Sequence, residues 1–218
     1  QWLPPAHAPE FSRVFAARTC MMAGVGLTGV FLWYLVRFWV YGKAVVLTSA
    51  PLTIPAGFLI AGMAVATLIG AALASWAAGP ISERIEEKNI PVARVVAGAC
   101  LLYAAGLALA WGLGVWSTGT ARENGMLLFA LISGFAFGVY DSLGLELVMD
   151  SLPDPRRAGH DLGIYALANS AGLALAAIIG ALLVNAFEHS FGYYLLFPSA
   201  IVMVLLAGIV TLTTKSAE

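Results

Sequence analysis

Residues 134–172 form two apolar, helix-length segments joined by a charged turn that contains proline, and they read GFAFGVYDSLGLELVMDSLPDPRRAGHDLGIYALANSAG. The first segment carries two acids, Asp141 and Glu146. Carboxylates within a membrane span are costly to bury and are therefore candidates for function. The stretch predicts a helical hairpin whose turn lies on the cytoplasmic side of a membrane.

The composition of the whole chain agrees with a membrane location. Of its 218 residues, 61% are hydrophobic and 11% are charged, which is too few polar residues to cover a water-soluble globule. The net charge of -1 provides no basic surface for phosphate backbones, so nucleic acid is not expected as a partner. We expect an integral membrane protein whose immediate partner is membrane lipid.

Six apolar runs have lengths that suit a hydrocarbon core of about 30 Å. They lie at about 18–41, 54–78, 92–116, 124–150, 161–187 and 192–212. In the uncharged stretch 44–82, Pro51 and Pro55 mark the break between the first two runs. The predicted fold class is therefore all-α, a polytopic bundle of six transmembrane helices that occupies residues 18–218.

Basic residues predict the orientation of the bundle. A cytoplasmic N-terminus places most of them on the inner side, namely Arg13, Arg18, Arg84, Lys88, Arg94, Arg156, Arg157 and Lys215, and leaves Arg37, Lys43 and Arg122 outside. An even number of spans then returns the C-terminus to the cytoplasm. An aromatic belt is expected at the outer interface, formed by Trp33, Trp39, Tyr41, Trp111, Trp116, Tyr193 and Tyr194.

Three short motifs resemble one transporter superfamily. They are FSRVFAAR at 11–18, GPISERIEEKN at 79–89 and DSLPDPRRAGHDLG at 150–163. Together they resemble the carboxy-terminal six-helix half of major facilitator superfamily transporters, in particular its actinobacterial-type members. The resemblance covers essentially the whole chain and implies two three-helix inverted repeats, with residues 1–17 as a cytoplasmic lead-in that belongs to a central linker.

The resemblance also implies a function. Such a half would work with an amino-terminal half, in the same or another chain, to move a small solute across the cell membrane by alternating access. A proton or sodium gradient, or the gradient of the solute itself, would drive it, with no other cofactor and no enzymatic activity. The alternative is a membrane scaffold or sensor that keeps the fold, transports nothing and pairs its acids internally.

Asp141 is the strongest candidate for substrate recognition or ion coupling. It follows Gly134 and Gly138 at helical spacing, which predicts that the three share one stripe about 10–14 Å from the cytoplasmic end. The alternative is a structural hydrogen bond to a neighbouring helix. Tyr140 and Tyr165 could reach the same cavity, and Asn169 could bind the solute or bond across helices.

Further residues are candidates for a cytoplasmic gate. The superfamily has a G-x-x-S-D-R-x-G-R-[KR] pattern between the second and third helices of a half, which Gly79, Ser82, Glu83, Arg84 and Lys88 match or approximate. Residues 79–89 are predicted to form a loop, and two departures from the pattern, Glu86 and Glu87, make this loop more acidic.

Three more charged residues complete the predicted gate. Glu146 is expected to pair with Arg84 or Arg94, or to be solvated at the interface. Arg18 either reaches the lipid headgroups or, as the resemblance implies, holds the inner gate. Asp161 is predicted to cap the fifth helix, with a further part in the gate.

Arg37, with Trp33 nearby, suits an outer vestibule for a sugar or an anion, or an interfacial anchor. The scattered histidines, His7, His160 and His189, lack metal-ligand spacing, so no metal site is expected. Cys20 and Cys100 lie in apolar runs and are interpreted as buried small hydrophobes.

Overall fold

The computed structural model describes residues 9–41, 54–116, 119–152, 158–187 and 189–214. Its helices are α1 (Pro9–Gly29), α2 (Leu32–Tyr34), α3 (Ile54–Lys88), α4 (Val92–Trp116), α5 (Thr120–Asp150), α6 (Ala158–Ala186) and α7 (His189–Leu212), and a π-helical turn, Leu35–Val40, follows α2. Six spans are long and apolar enough to cross a membrane, the first being Pro9–Val40. The described part of the chain is all-α, as predicted.

The helices pack with the symmetry of two three-helix repeats. α1 lies against α6 and α7, α5 lies against α3 and α4, and α4 lies against α7. These contacts are unchanged when the first three spans are exchanged with the last three, whereas a smaller α6–α7 contact has no counterpart of similar extent between α3 and α4. Because each repeat crosses the membrane an odd number of times, the second repeat is inverted relative to the first, in agreement with the predicted half-transporter fold.

Small residues allow two equivalent close contacts between these repeats. At the α3–α5 contact, a Cβ atom on Gly134 would collide with the backbone carbonyl of Thr67. At the corresponding α1–α6 contact, a Cβ atom on Gly172 would lie 2.6 Å from the Thr19 carbonyl oxygen. In both places the absence of a side chain lets two helix backbones approach closely.

The segment 79–89, which we predicted to be a loop, is helical through Lys88 even though it includes Pro80. Glu, Arg and Lys favour helix, so the charged end of α3 extends beyond its apolar part. Asn89 then ends the helix with a φ of 48°, and the amides of Asn89 and Ile90 donate to the Glu86 and Ile85 oxygens at 3.2 and 3.0 Å. These two bonds form a Schellman motif.

The first helix begins at Pro9, so residues 9–17 of the predicted lead-in are part of α1. Phe11 and Val14 are buried there. Arg13 Nη1 donates to the Thr213 carbonyl oxygen at 3.0 Å, which places the start of α1 and the end of α7 together. We call this end of the bundle the terminal end.

Candidate functional site

A buried arginine ties three helices together near the terminal end. Arg18 of α1 is 8% exposed. Its Nε donates to Asn169 Oδ1 of α6 at 2.8 Å. Its Nη1 lies 2.7 Å from Asp141 Oδ1 of α5. The rigid fork of the guanidinium therefore fixes an amide and a carboxylate in one plane, which a single ammonium group cannot do.

Aromatic rings surround the same guanidinium. Its central carbon lies 5.6 Å from the ring centroids of Phe137 and Tyr140, and 5.7 Å from that of Tyr165. Each ring face attracts the cation, and the attraction strengthens where water is excluded. The rings and the carboxylate together stabilise a charge that would otherwise be costly in an apolar bundle.

The two members of the ion pair differ in accessibility. The Asp141 side chain is 56% exposed, whereas that of Arg18 is 9% exposed. Arg18 lies about 14 Å from the start of α1 on a rise of 1.5 Å per residue. The arrangement is an ion pair within a span, with its carboxylate open on one face of the bundle and its guanidinium closed off.

A second aromatic cluster lies at the opposite end of the bundle. Tyr34, Phe38 and Tyr193 pack with ring centroids 5.4–6.2 Å apart. The Arg37 guanidinium carbon lies 5.1 Å from the Trp33 ring centroid. The predicted outer vestibule and the Asp141 site are therefore separate.

Just beyond the first span at this opposite end, burial and a hydrogen bond with Glu123 raise the pKa of Tyr41. Arg122 Nη1 donates to the Trp39 carbonyl oxygen at 3.0 Å, so the start of α5 is anchored to the end of the first span.

Comparison with known proteins identifies the family of this chain. The Major Facilitator Superfamily model matches residues 56–218, which is most of the sequence. The chain belongs to the Major Facilitator Superfamily. The matched segment includes Asp141, Tyr165 and Asn169 and leaves out α1, which carries Arg18. Searches of curated proteins and of solved structures found no match.

The structure brings together most of the residues predicted for recognition in this superfamily member. Tyr140, Asp141, Tyr165 and Asn169 converge, and all four meet at Arg18, which we had assigned to the gate. This junction is not predictable from the apolar run at 18–41, which puts Arg18 at a helix start, where an arginine is expected to reach the headgroups or a gate.

One further residue of the site was not predicted. Phe137 precedes Asp141 by one helical turn and shares its face, so the spacing of i and i+4 could have indicated it. The helical stripe predicted to contain Gly138 and Asp141 contacts two different helices. Gly138 packs against Ala74 of α3, whereas Asp141 contacts Arg18 of α1.

Two predictions about charged residues are wrong. The ion pairs within the described ranges join Arg13 to Glu10, Arg18 to Asp141 and His160 to Asp161. Among these described residues, Glu146 pairs with neither Arg84 nor Arg94, and its side chain is exposed. The alternative, solvation of Glu146 at the membrane interface, stays a prediction.

Asp161 is not the cap of its helix, because α6 begins at Ala158 and Asp161 lies within the first turn. It is 5% exposed, and its Oδ1 lies 3.3 Å from His160 Nδ1. A carboxylate in the first turn still interacts favourably with the helix dipole. The residues that precede Ala158, 153–157, are outside the described ranges.

The remaining predicted gate residues lie on α3. Gly79, Ser82, Glu83, Arg84 and Lys88 occupy its last turns, at the terminal end of the bundle. Their positions on a helix differ from the predicted loop.

Within the described ranges, no group of three or more His, Cys, Asp or Glu side chains could hold a metal ion. Cys20 and Cys100 are free thiols, and Cys100 is buried. His7 and the side chain of His189 lie outside the described residues.

Proposed function

We propose that this chain is the carboxy-terminal half of a secondary active transporter that moves a small solute by alternating access. Membership of the Major Facilitator Superfamily supports the transporter class. The other half would come from the same polypeptide, from a second chain or from a second copy. The distribution of basic residues supports a multi-pass protein of the cell membrane with both termini in the cytoplasm.

The observation that carries the proposal is the ion pair between Arg18 and Asp141. Ionisable groups within membrane spans are costly, and they mark substrate or ion pathways when they face a cavity. Here the pair is complete, yet the Asp141 carboxylate is open on one face. A ligand can therefore reach the carboxylate without first unfolding the site.

An ion pair of this kind can be closed or open, and the exchange between these two states could couple ion binding to movement of the solute. In one state Asp141 is charged and holds Arg18, as the structure has it. In the other, a proton or a sodium ion neutralises Asp141, and Arg18 becomes free to bind a polar group of the solute. Because α1, α5 and α6 meet at Arg18, exchange between the two states would change how these helices pack.

The residues at the end of α3 extend the proposal to a gate. Gly79, Ser82, Glu83, Arg84 and Lys88 lie at the same end of the bundle as Arg18. Because α3 packs against α5, which carries Asp141, opening and closing of the pathway at this end would then be linked to the ion pair.

The proposal is tested with the full-length native polypeptide in proteoliposomes that contain a pH-sensitive dye. A thermal-shift screen of sugars, organic acids and lipophilic cations first selects a stabilising solute, and its uptake and any accompanying proton movement are then followed. We expect Asp141→Asn to abolish or uncouple uptake in a folded protein. The control is Glu10→Gln, which removes the acid of a partly exposed ion pair outside the site. Unchanged transport by Asp141→Asn would refute the proposal.

A membrane scaffold or sensor is the second candidate, because the carboxylate of Asp141 already has an internal partner. A carrier is stabilised by its solute in proportion to occupancy, whereas a scaffold is not. A screen in which no solute shifts the melting temperature, together with unaltered partner binding by Asp141→Asn, would favour this second candidate.

A further inference from the structure

A cavity of about 270 Å³ lies between α1, α3, α4 and α5, separate from the Arg18 site. Most of its lining is apolar and includes Met63 and Phe129. Four hydroxyl groups also line it, and they belong to Thr28, Thr67, Tyr103 and Ser133. Three of these four residues, Thr28, Tyr103 and Ser133, are buried.

The cavity occupies the place in one repeat that the Arg18 site occupies in the other. In the two repeats α1 corresponds to α5, and α6 corresponds to α3. The counterpart of a site between α1, α5 and α6 is therefore a site between α5, α1 and α3. Gly172 of α6 approaches the backbone of α1 at Thr19 and Ala23, and Gly70 of α3 approaches that of α5 at Leu131 and Phe135. These contacts align Thr19 with Leu131, so Ala130, which lines the cavity, stands at the position that corresponds to Arg18.

Three of the four hydroxyl groups, those of Thr28, Thr67 and Ser133, already donate their protons to backbone oxygens. Thr67 donates to the Met63 carbonyl oxygen at 2.9 Å, and Ser133 donates to the Ala130 oxygen at 3.0 Å. Thr28 donates to the Val25 oxygen at 3.2 Å. Each of these three hydroxyl oxygens keeps lone pairs, so the cavity offers a ligand hydrogen-bond acceptors whose own protons are already in use.

The charge and volume of the cavity narrow the class of ligand. No Asp, Glu, Lys or Arg is among the described residues that line it, so a charged ligand would lose part of its hydration and find no opposite charge in the lining. An apolar cavity of about 150 Å³ holds benzene. A cavity of about 270 Å³ consequently has room for a molecule of one or two rings.

We propose that this cavity is a second binding site, for an uncharged ring-bearing molecule with a hydroxyl or N–H donor. The apolar walls take up the rings, and the oxygens of Thr67 and Ser133 accept from the donor. A lipid acyl chain would fill the space but would leave these acceptors without a partner. The inference goes beyond the proposed function, since binding here requires neither transport nor the ion pair.

The test uses the full-length protein in lipid nanodiscs and four probes that share one ring system. 2-Naphthol carries a donor, 2-methoxynaphthalene only an acceptor, 2-naphthoate a negative charge and 2-naphthylmethylamine a positive one at neutral pH. Saturable binding is measured by calorimetry. We expect 2-naphthol to bind best and both charged probes to bind at least tenfold more weakly.

Substitutions in the cavity show whether 2-naphthol binds there. Thr67→Val and Ser133→Ala should each weaken 2-naphthol by about three- to tenfold and leave 2-methoxynaphthalene little changed. Ala64→Phe, which fills the cavity from α3, should abolish binding. The control is Ser75→Ala, since Ser75 makes the same kind of bond, to the Ala71 oxygen, on an exposed part of α3.

Three results would overturn the inference. They are the absence of saturable 2-naphthol binding, equal binding of the charged probes, and binding that survives Ala64→Phe in a folded protein. Binding of 2-methoxynaphthalene as tight as that of 2-naphthol would indicate occupancy by lipid-like molecules instead. None of these results bears on transport by Asp141→Asn, so the two proposals fail separately.

Discussion

Arg18 Nη1 lies 2.7 Å from Asp141 Oδ1, although these residues belong to α1 and α5, whose main packing partners are other helices. The ion pair thus links the first helix of one repeat to the first helix of the other. A pair in this position contributes to stability and, in the proposed transporter, to the exchange between conformations.

The first prediction concerns the energy of this link. In a cycle of Arg18→Gln, Asp141→Asn and the double variant, we expect a coupling of about 1–3 kcal/mol, because the two groups are in direct contact. The coupling is measured from unfolding curves in detergent, in which a reactive dye labels the buried cysteine as it becomes exposed. Additive effects of the two substitutions would show that the pair contributes nothing to stability.

The second prediction concerns the shape of the cation. Arg18→Lys retains the charge but cannot bond Asn169 and Asp141 at once and stacks less well on Phe137, Tyr140 and Tyr165. We expect Arg18→Lys to lower the free energy of unfolding by about 1.5–3 kcal/mol, the value of one hydrogen bond to a charged group. Wild-type melting behaviour of Arg18→Lys would mean that charge alone matters at this position.

The third prediction compares two glycines on α5. A Cβ atom at Gly134 would collide with α3, whereas one at Gly144 meets nothing within 4 Å. We expect Gly134→Ala to destabilise the bundle by about 1–3 kcal/mol through overpacking, and Gly144→Ala to be neutral or stabilising because Ala favours helix. Equal melting temperatures for the two variants would contradict the close approach of α3 and α5.

The fourth prediction concerns the end of α3. Asn89 has a φ of 48°, a conformation that glycine adopts at no steric cost and that β-branched residues avoid. We expect Asn89→Gly to maintain or slightly raise the melting temperature and Asn89→Val to lower it. The control is Asn124→Gly within α5, which should destabilise by about 0.3 kcal/mol, the difference in helix propensity between Asn and Gly. A stable Asn89→Val would argue that α3 ends elsewhere.

The spans were predictable because the lipid imposes a length and a polarity that the sequence must satisfy. The predicted run at 92–116 coincides with α4, and the run at 192–212 with the last span. Errors fell at the polar ends, where hydropathy carries no information. Residues 79–88 are helical because local propensity, and not the membrane, determines their conformation.

Part of the candidate site was predictable in the same way. Helical spacing indicated Asp141 as an acid within a span, and the sequence supplied Tyr140, Tyr165 and Asn169 as polar residues nearby. The partner of Asp141 was not predictable, because Arg18 is more than a hundred positions away along the chain. Nor did the sequence show whether Glu146 has an ionic partner. The ion pair expected for it is absent from the described residues.

The sequence by itself determined an all-α membrane protein of six spans, since burial of the backbone in lipid leaves helices of fixed length as the available solution. The tertiary structure alone decided that Arg18 joins Asp141, Asn169 and three aromatic rings. It also decided that the equivalent place in the other repeat is an uncharged cavity. The physical reason is that helix packing, through small residues such as Gly134 and Gly172, selects which side chains meet across repeats.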